Sequence, residues 1–378
     1  MTLSIAATSW VTPLGNSIDH VWQRLVAGEI APLERLANPQ NGAQYLVHRV
    51  PADATKHLPP HPRLRRASAI SRFAAAAGLA ALADTKTAPA LDRIALVFAI
   101  SNGGVIYTRR FYSDIVKAGA QSASPLLFPE TVFNAPASHL AAILGIGGAS
   151  YTVVGDGAVG IFALKLAEDL MALDEIDACL IVGAEEIDPL VCEAYRQWRF
   201  LRNPSRPEAR HGMVMSEGAG AVLVNRANGT IEIQKIIPGQ NFFRRSELAA
   251  RLDCVVSRLK EGKAFCIGSA NGTFIDRAER AAVSEMSLYS PKSALGDGIG
   301  ASVLWQLIAA EQTLKTGRAP RPLQPKQDSQ ALVLACGLNQ QTGGLSLRRS
   351  AAIKPSQGVR AQYCFSGSTD ASDYKHDC

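Results

Sequence analysis

The segment "YTVVGDGAVG", residues 151–160, decides the fold class of this chain. Its β-branched start predicts a strand, its glycines predict a tight turn, and the apolar residues that follow predict a helix. Proteins use such a strand-to-helix turn to present a nucleophile or to hold a phosphate. The apex of this turn is Gly157, which has no side chain, and the reactive group beside it is Asp156. That carboxylate is suited either to chemistry or to capping the helix.

The same alternation of strand and helix patterns continues along the chain and is typical of layered α/β folds. The predicted strands are 94–99, 150–154, 178–182, 219–224, 265–267 and 331–334. The predicted helices are 18–27, 67–83, 104–118, 159–173, 277–284 and 301–314. A second glycine turn, "GDGIGA" at 296–301, also opens a helix, which suggests an internal repeat.

Composition excludes several functional classes. Of the 378 residues, 47% are hydrophobic and 19% are charged, and the net charge of +6 is too mild to favour nucleic-acid binding. The longest apolar stretch, 73–83, is far shorter than the ~20 residues that a membrane span needs. The N-terminal "MTLSIAATSW" lacks the basic start of a secretory signal. We therefore expect a cytoplasmic protein that does not insert into a membrane.

Cysteine and histidine usage limits the chemistry. The seven cysteines are scattered and form no CxxC pair, which argues against a zinc site or a disulfide framework. We expect neither a metal nor another cofactor. No histidine lies between His211 and His376, so a mechanism that needs an imidazole from that part of the chain is excluded.

Two further patterns each leave two interpretations open. Arginines cluster in "RLRRASAISR" (63–72), at Arg63, Arg65 and Arg66, either as a solvated helix start or as a docking surface for an acidic partner. The turn itself reads G-x-G-x-x-G, and acidic residues at 185 and 186 follow the next predicted strand, as in a dinucleotide site. Such a unit usually opens its domain, whereas about 150 residues precede this turn.

Six segments, taken in order, resemble the motifs of β-ketoacyl-acyl carrier protein synthases. They are "VTPLGNSIDHVWQRLVAGE" (11–29), "GASYTVV" (148–154), "SRPEARHGMVMSEGAGAVLV" (205–224), "SANGTFIDRAE" (269–279), "SPKSALGDGIGAS" (290–302) and "GLNQQTGGLSLRR" (337–349). The resemblance implies a thiolase fold, with five alternating α and β layers built from two βαβ-rich halves. It also implies a dimer with strand 150–154 near the two-fold interface, and it removes most support for the dinucleotide interpretation.

The chain is accordingly divided into two halves and a tail. We assign residues 1–228 to the N-terminal half and 229–349 to the C-terminal half. Residues 350–378 are polar, rich in glycine and serine, and aperiodic, which predicts a flexible appendage.

Ketosynthases of this family use a cysteine nucleophile and two histidines. The resemblance places the cysteine at Gly157 and the two histidines at Asn271 and Asp297, while the motif lysine is kept as Lys292. It therefore implies that this chain forms no acyl-enzyme and catalyses no condensation alone.

Family members without the cysteine are mostly chain length factors, which pair with an active synthase and shape the tunnel for the growing chain. The segment "FPETVFNAPASHLAAILG" (128–145) resembles the family's interface segment. Phe133 is then the candidate plug of the tunnel, beside Ala135 and Pro136, and Leu338 stands in the gating loop. A place for Phe133 in the core is the competing interpretation.

The resemblance thus implies two partners, an active β-ketoacyl-ACP synthase in a heterodimer and an acyl carrier protein. Glycine at position 157, where many chain length factors have glutamine, favours a divergent type II system of the aryl polyene kind. Two alternatives stay open. One is a cyclase, hydrolase or acyltransferase that uses Asp156, Asn271, Asp297 and Lys292. The other is a homodimeric scaffold that binds acyl carrier protein.

Overall fold

A computed structural model of the chain describes residues 2–65, 67–85, 89–209, 211–226, 229–325 and 330–350. Arg66 and, apart from Ser350, the proposed tail lie outside the described residues, as does the proposed boundary between the two halves at 228. The division into halves at that position stays a prediction.

The described residues form the following strands and helices. The strands are β1 (Leu3–Val11), β2 (Glu34–Ala37), β3 (Gln44–His48), β4 (Ile94–Ile100), β5 (Ser150–Val154), β6 (Ala178–Glu185), β7 (Met215–Ser216), β8 (Gly218–Asn225), β9 (Ile231–Ile237), β10 (Ala264–Ile267), β11 (Leu288–Tyr289), β12 (Gln330–Cys336) and β13 (Thr342–Arg349). The helices are α1 (Ile18–Val26), α2 (Ala69–Ala83), α3 (Val105–Ala118), α4 (Ala135–Leu144), α5 (Val159–Leu170), α6 (Pro189–Gln197), α7 (Leu248–Leu259), α8 (Phe274–Ala282), α9 (Lys292–Leu295) and α10 (Ser302–Thr316).

Ten of these strands form one mixed sheet in the order β11-β10-β12-β13-β9-β1-β8-β6-β4-β5, and β2, β3 and β7 form a small second sheet. Each end of the large sheet has three parallel strands, β5-β4-β6 at one end and β11-β10-β12 at the other. Two antiparallel strands follow in each case, β8 and β1 or β13 and β9. The repeated order agrees with the internal repeat that the two glycine turns predict.

The two five-stranded units meet through β1 and β9, and helices lie between and outside them. Helices α5 and α10 contact strands of both units, α2 covers one outer face, and α7 covers the other. Nearly every residue of α10 is buried, as expected for a helix enclosed on all sides. A Cβ at Gly160 would lie 2.5 Å from Val303 Cβ, so glycine permits the close contact of α5 with α10. The predicted five-layered thiolase fold is therefore confirmed.

Every predicted strand and helix is present, with ends shifted by a few residues. Strand 150–154 coincides with β5, whereas the helix predicted at 277–284 begins at Phe274 and ends at Ala282. No helix within the described ranges is both long enough and apolar enough to cross a lipid bilayer.

Candidate functional site

The glycine turn lies at the carboxyl ends of the parallel strands β4 and β5, where ligand sites of α/β sheets form. The Gly155 amide donates to the Ile100 carbonyl at 3.1 Å, which fixes the turn to the end of β4. A Cβ at Gly157 would lie 3.0 Å from the Cys336 carbonyl oxygen and 3.3 Å from Gly337 Cα. The apex therefore has no side chain and is covered by the backbone that follows β12.

Asp156 is buried beside this apex and binds two backbone amides. Its carboxylate accepts from the Ala158 amide at 3.3 Å, which caps α5, and from the Asn339 amide at 2.9 Å. Burial raises the pKa of Asp156, and the two backbone hydrogen bonds oppose that shift. Within the described residues, no cationic group forms a salt bridge with this carboxylate.

Asn271, Lys292 and Asp297 form one buried cluster. Asp297 Oδ2 accepts from Asn271 Nδ2 at 2.9 Å and from Lys292 Nζ at 3.0 Å. Its other oxygen accepts from the Ile299 amide and from Ser302 Oγ, each at 3.1 Å. Burial alone would raise the pKa of Asp297, but Lys292 and the hydrogen-bond donors hold it below its ordinary value. The Asp297 carboxylate is therefore charge-balanced by Lys292 and accepts four hydrogen bonds.

Backbone bonds hold this cluster from several elements. The Asp297 amide donates to the Val214 carbonyl at 2.8 Å, and its carbonyl accepts from the Ser216 amide at 3.0 Å. The loop of Asn271 is held by the Asp276 carboxylate, which accepts from the Asn271 amide at 2.8 Å and from the Gly272 amide at 3.0 Å. These bonds give Asn271 and Asp297 fixed positions.

A cavity of about 610 Å³ opens beside the turn. It is lined by Ser101, Asn102, Val105, Thr108, Val154, Gly155, Asp156, Leu190, Val191, Ala194, Tyr195, Trp198, Asn339 and Gln341. Of the residues singled out in the sequence for chemistry, only Asp156 lies in this lining. Gly157 and the cluster of Asn271, Lys292 and Asp297 do not. Tyr195 and Trp198 were missed, because they lie on and just after α6, which no local pattern predicts.

Phe133, Ala135, Pro136 and Leu338 lie outside the lining of this cavity. Phe133 is 48% exposed, so it is not a core residue. Its ring packs against Gly103, where a Cβ would lie 3.0 Å from it. Ala135 and Pro136 are buried in the first turn of α4. Leu338 is half-buried between two apolar clusters.

Phe133 belongs to an exposed apolar face. The name denotes exposed apolar side chains of α3, of segment 126–133 and of β5, which are Tyr112, Val116, Leu126, Phe128, Val132, Phe133 and Tyr151. The rings of Phe111 and Phe128 are 5.9 Å apart, which joins α3 to the segment 126–133. The Glu130 carboxylate binds His139 Nε2 at 2.9 Å and so anchors that segment to α4, which contacts β5. The elements that carry these exposed residues are therefore connected in series from α3 to β5, the edge strand of the sheet.

Two basic surfaces lie elsewhere. Arg63 and Arg65 are exposed on a single 3₁₀ turn, Pro62–Arg65, which precedes α2. A groove of about 650 Å³ lies beside α8 and is lined by His211, Gly272, Thr273, Asp276, Arg277, Arg280 and Ala281. The two exposed arginines of this groove were not singled out in the sequence.

The acidic residues that follow β6 are structural. Glu185 is buried and accepts from the amides of Asn102 and Gly300. Glu186 is buried and accepts from the amides of Ile70 and Ile106, near the starts of α2 and α3. Burial raises the pKa of Glu185 to about 8 and that of Glu186 to about 7. Neither carboxylate is free to bind a ribose, so the dinucleotide interpretation has no site here.

Within the part of the chain that the structure describes, no group of three or more His, Cys, Asp and Glu side chains is arranged to hold a metal ion.

Comparison with known proteins gives one family and several relatives. Residues 2–229 match the N-terminal domain of β-ketoacyl synthases. The 3-oxoacyl-(acyl-carrier-protein) synthase 2 of Vibrio cholerae serotype O1 is 22% identical over 58% of this chain and 56% of that protein. The chain thus matches little more than half the length of this relative.

Solved structures agree on the fold. A β-ketoacyl synthase from Burkholderia phymatum superposes with a TM-score of 0.79 at 18% identity, over 92% of this chain and 99% of that one. A ketosynthase in complex with its chain length factor, from Xenorhabdus doucetiae, gives a TM-score of 0.76 at 16% identity, over 92% and 98% of the two chains. With its thiolase fold and its match over residues 2–229, the chain belongs to the β-ketoacyl synthase family.

Proposed function

We propose that the chain is a non-catalytic ketosynthase-like subunit that pairs with an active β-ketoacyl-ACP synthase and shapes the acyl chamber at their interface. One observation carries this proposal. The apex of the glycine turn has no reactive side chain, and the Cys336 carbonyl lies 3.0 Å from where a Cβ would be. Without a nucleophile at the apex there is no acyl-enzyme, so condensation needs a second subunit.

The cluster next to the turn supports the same conclusion. Lys292 and Asn271 each donate a hydrogen bond to Asp297, whose carboxylate accepts four hydrogen bonds in all. An ionised carboxylate has no N–H or O–H to donate, so Asp297 cannot supply the hydrogen bond that a developing enolate oxygen needs. Their arrangement suits a structural role.

The exposed apolar face supports pairing. Tyr151 and Val154 are about half exposed on β5, whose outer side has no strand partner within the described residues. An edge strand flanked by exposed aromatic residues favours a protein partner. A ketosynthase bound to its chain length factor shares this fold, and we take the partner to be an active synthase of that kind.

Two further assignments complete the proposal. Phe133 lies on the exposed apolar face, within reach of a partner, and we propose that it bounds the chamber in the complex, beside Ala135 and Pro136. Leu338 lies in the loop between β12 and β13, whose Asn339 and Gln341 line the cavity of this chain. Arg63 and Arg65, with Arg66, are the proposed docking surface for the acidic acyl carrier protein.

The proposal is tested by co-expression with each intact Cys-His-His ketosynthase encoded beside this chain. Light scattering of the purified material should show a one-to-one complex with one of them, and that complex should elongate acyl chains. A chain that stays monomeric with every such synthase, under conditions in which those synthases are active, contradicts the proposal.

One observation favours a second candidate. The cavity of about 610 Å³ contains the buried Asp156 carboxylate between polar and aromatic walls, as a repurposed cyclase, hydrolase or acyltransferase would need. In that case Asp156→Asn abolishes an activity of the isolated chain. Under the proposed function the isolated chain has no such activity to lose.

A further inference from the structure

The loop that follows β12 lies directly over the glycine turn. This loop, residues 337–341, joins β12 to β13, and its Asn339 and Gln341 line the cavity. Gly157 is not in the lining, because Cys336 and Gly337 cover it. The loop therefore separates the apex of the turn from the cavity.

The Asp156 carboxylate joins the turn to this loop. It accepts from the Asn339 amide at 2.9 Å, across 183 residues of sequence. Its oxygens occupy the space above Gly337, since a Cβ there would lie 1.8 Å from Asp156 Oδ2. The loop thus touches the carboxylate both by a hydrogen bond and by van der Waals contact, and glycine at 337 is required for that contact.

The loop also adopts a conformation that it would not choose alone. Gln340 has a φ of 75°, in the left-handed region that disfavours residues with a Cβ. Beyond it, the Phe242 amide donates to the Gln340 carbonyl at 3.0 Å, so the far end of the loop has its own support. At the near end, the Gly337 amide donates to the Gln341 carbonyl at 2.8 Å, and the Asn339 amide is held by Asp156.

We propose that Asp156 is a positioning residue that latches the loop 337–341 shut over Gly157 and so closes this apex residue off from the cavity. The ionised carboxylate is the stronger acceptor for the Asn339 amide, so protonation weakens the latch. The charged and titratable groups that face Asp156 are Lys292, Asp297, Tyr195 and Cys336, from α9, the second glycine turn, α6 and β12. None of these groups hydrogen-bonds the carboxylate in the described structure, so its hydrogen bond to the Asn339 amide can break without breaking a side-chain pair.

This inference goes beyond the proposed pairing and does not require it, because the loop is observed on the full chain alone. The variant Asp156→Ser keeps a short oxygen for the Ala158 amide but is too short to reach the Asn339 amide. Hydrogen exchange measured by mass spectrometry should show segment 337–341 exchanging about tenfold faster, or more, than in the unsubstituted chain. Helix α5 should keep its protection.

A matched control removes a cap that is remote from the loop. Ser17 accepts from the His20 amide at the start of α1, and Ser17→Ala should leave exchange of 337–341 unchanged. Equal acceleration by Ser17→Ala, or unchanged exchange in Asp156→Ser, overturns the latch.

Two measurements keep the inference testable if Asp156→Ser folds poorly. In the unsubstituted chain, exchange of 337–341, corrected for intrinsic rates, should speed up as pH falls through the raised pKa of Asp156. Gly337→Ala should open the loop through its clash with the carboxylate, and its effect should shrink when Asp156→Ser removes that carboxylate. A flat pH response, or additive effects of the two substitutions, contradicts the inference.

Discussion

The two glycine turns of this chain occupy equivalent places and have different environments. "GDGAVG" at 155–160 precedes α5, and "GDGIGA" at 296–301 precedes α10, the two helices enclosed between the five-stranded units. Each turn has a buried aspartate as its second residue. Asp297 is paired with Lys292, which holds its pKa below the ordinary value, whereas burial raises the pKa of Asp156, which has no such partner.

The difference shows how one motif serves two purposes. A buried carboxylate with four donors, one of them a cation, is a rigid structural joint, and removing that cation leaves an uncompensated buried charge. A buried carboxylate that holds only backbone amides can be protonated or can exchange partners. The second turn therefore fixes the fold, and the first is the one whose contacts can change.

The largest expected effect comes from breaking the rigid joint. Lys292→Met should lower the free energy of unfolding by about 3–5 kcal/mol, because Asp297 would stay buried without its cation. Urea unfolding followed by circular dichroism measures this change. Adding Asp297→Asn should recover part of the loss, since no charge is then left unpaired. A loss below about 1 kcal/mol would show that the cluster is not a structural joint.

A second effect concerns buried carboxylates without a cation, such as Glu185. Its pKa is raised to about 8 from an ordinary value of 4.5, so the folded state binds more protons than the unfolded state between these pH values. Its contribution to stability is therefore fully present below pH 4.5 and is lost as pH rises towards 8.

The test compares unfolding free energies of the unsubstituted chain and Glu185→Gln from pH 5 to pH 8. The unsubstituted chain should lose on the order of a few kcal/mol more over this range than the variant. The matched carboxylate Asp297, whose pKa is lowered, should contribute stability that is lost only as pH falls. Parallel pH profiles for chain and variant would contradict the assignment.

The smallest effect on folding is expected at Phe133. Its ring is about half exposed, so Phe133→Ala should cost less than ~1 kcal/mol of stability. In the complex it should lengthen the products without stopping turnover, because a bulky group that excludes longer chains is gone. Product analysis by mass spectrometry measures the shift.

The matched control for Phe133 is Arg65→Glu, which should weaken docking of acyl carrier protein and leave product length unchanged. An unchanged product distribution from Phe133→Ala, in a complex that still assembles and turns over, means that Phe133 does not bound the chamber.

Much of the fold could be predicted from the sequence because local pattern and burial agree there. Strand β5 is β-branched and ends at a glycine, and its predicted bounds are those observed. Strand β13 gives a weak local signal because it contains Gly343 and Gly344. A Cβ at Gly344 would lie 2.9 Å from the Val333 carbonyl oxygen and from the Leu259 side chain, so tertiary packing requires glycine where strand propensity disfavours it. Helix α4 begins beside Pro136, in a segment without a clear helical period.

In the candidate site, individual residues could be predicted from the sequence, but their mutual contacts could not. Gly157, Asn271, Lys292 and Asp297 could be singled out from their motifs, each on its own stretch of sequence. Their contacts could not be predicted, because they join residues from separate elements and no local periodicity encodes them. This holds for the cluster of Asn271, Lys292 and Asp297 and for the hydrogen bond from the Asn339 amide to Asp156. The cavity wall formed by α6 was missed for the same reason.

Intact-mass spectrometry of the co-purified pair shows which of the two subunits carries the acyl group. The complex is incubated with acyl- and malonyl-carrier protein, and the mass of each subunit is recorded during turnover. The expected result is an acyl adduct on the partner synthase and an unchanged mass for this chain. Gly157→Cys alone should not restore condensation without the partner, because Asn271 and Asp297 still replace the histidines. An acyl adduct on any of the seven cysteines of the unsubstituted chain, or a β-ketoacyl product formed by it alone, would contradict the claim that this chain is non-catalytic.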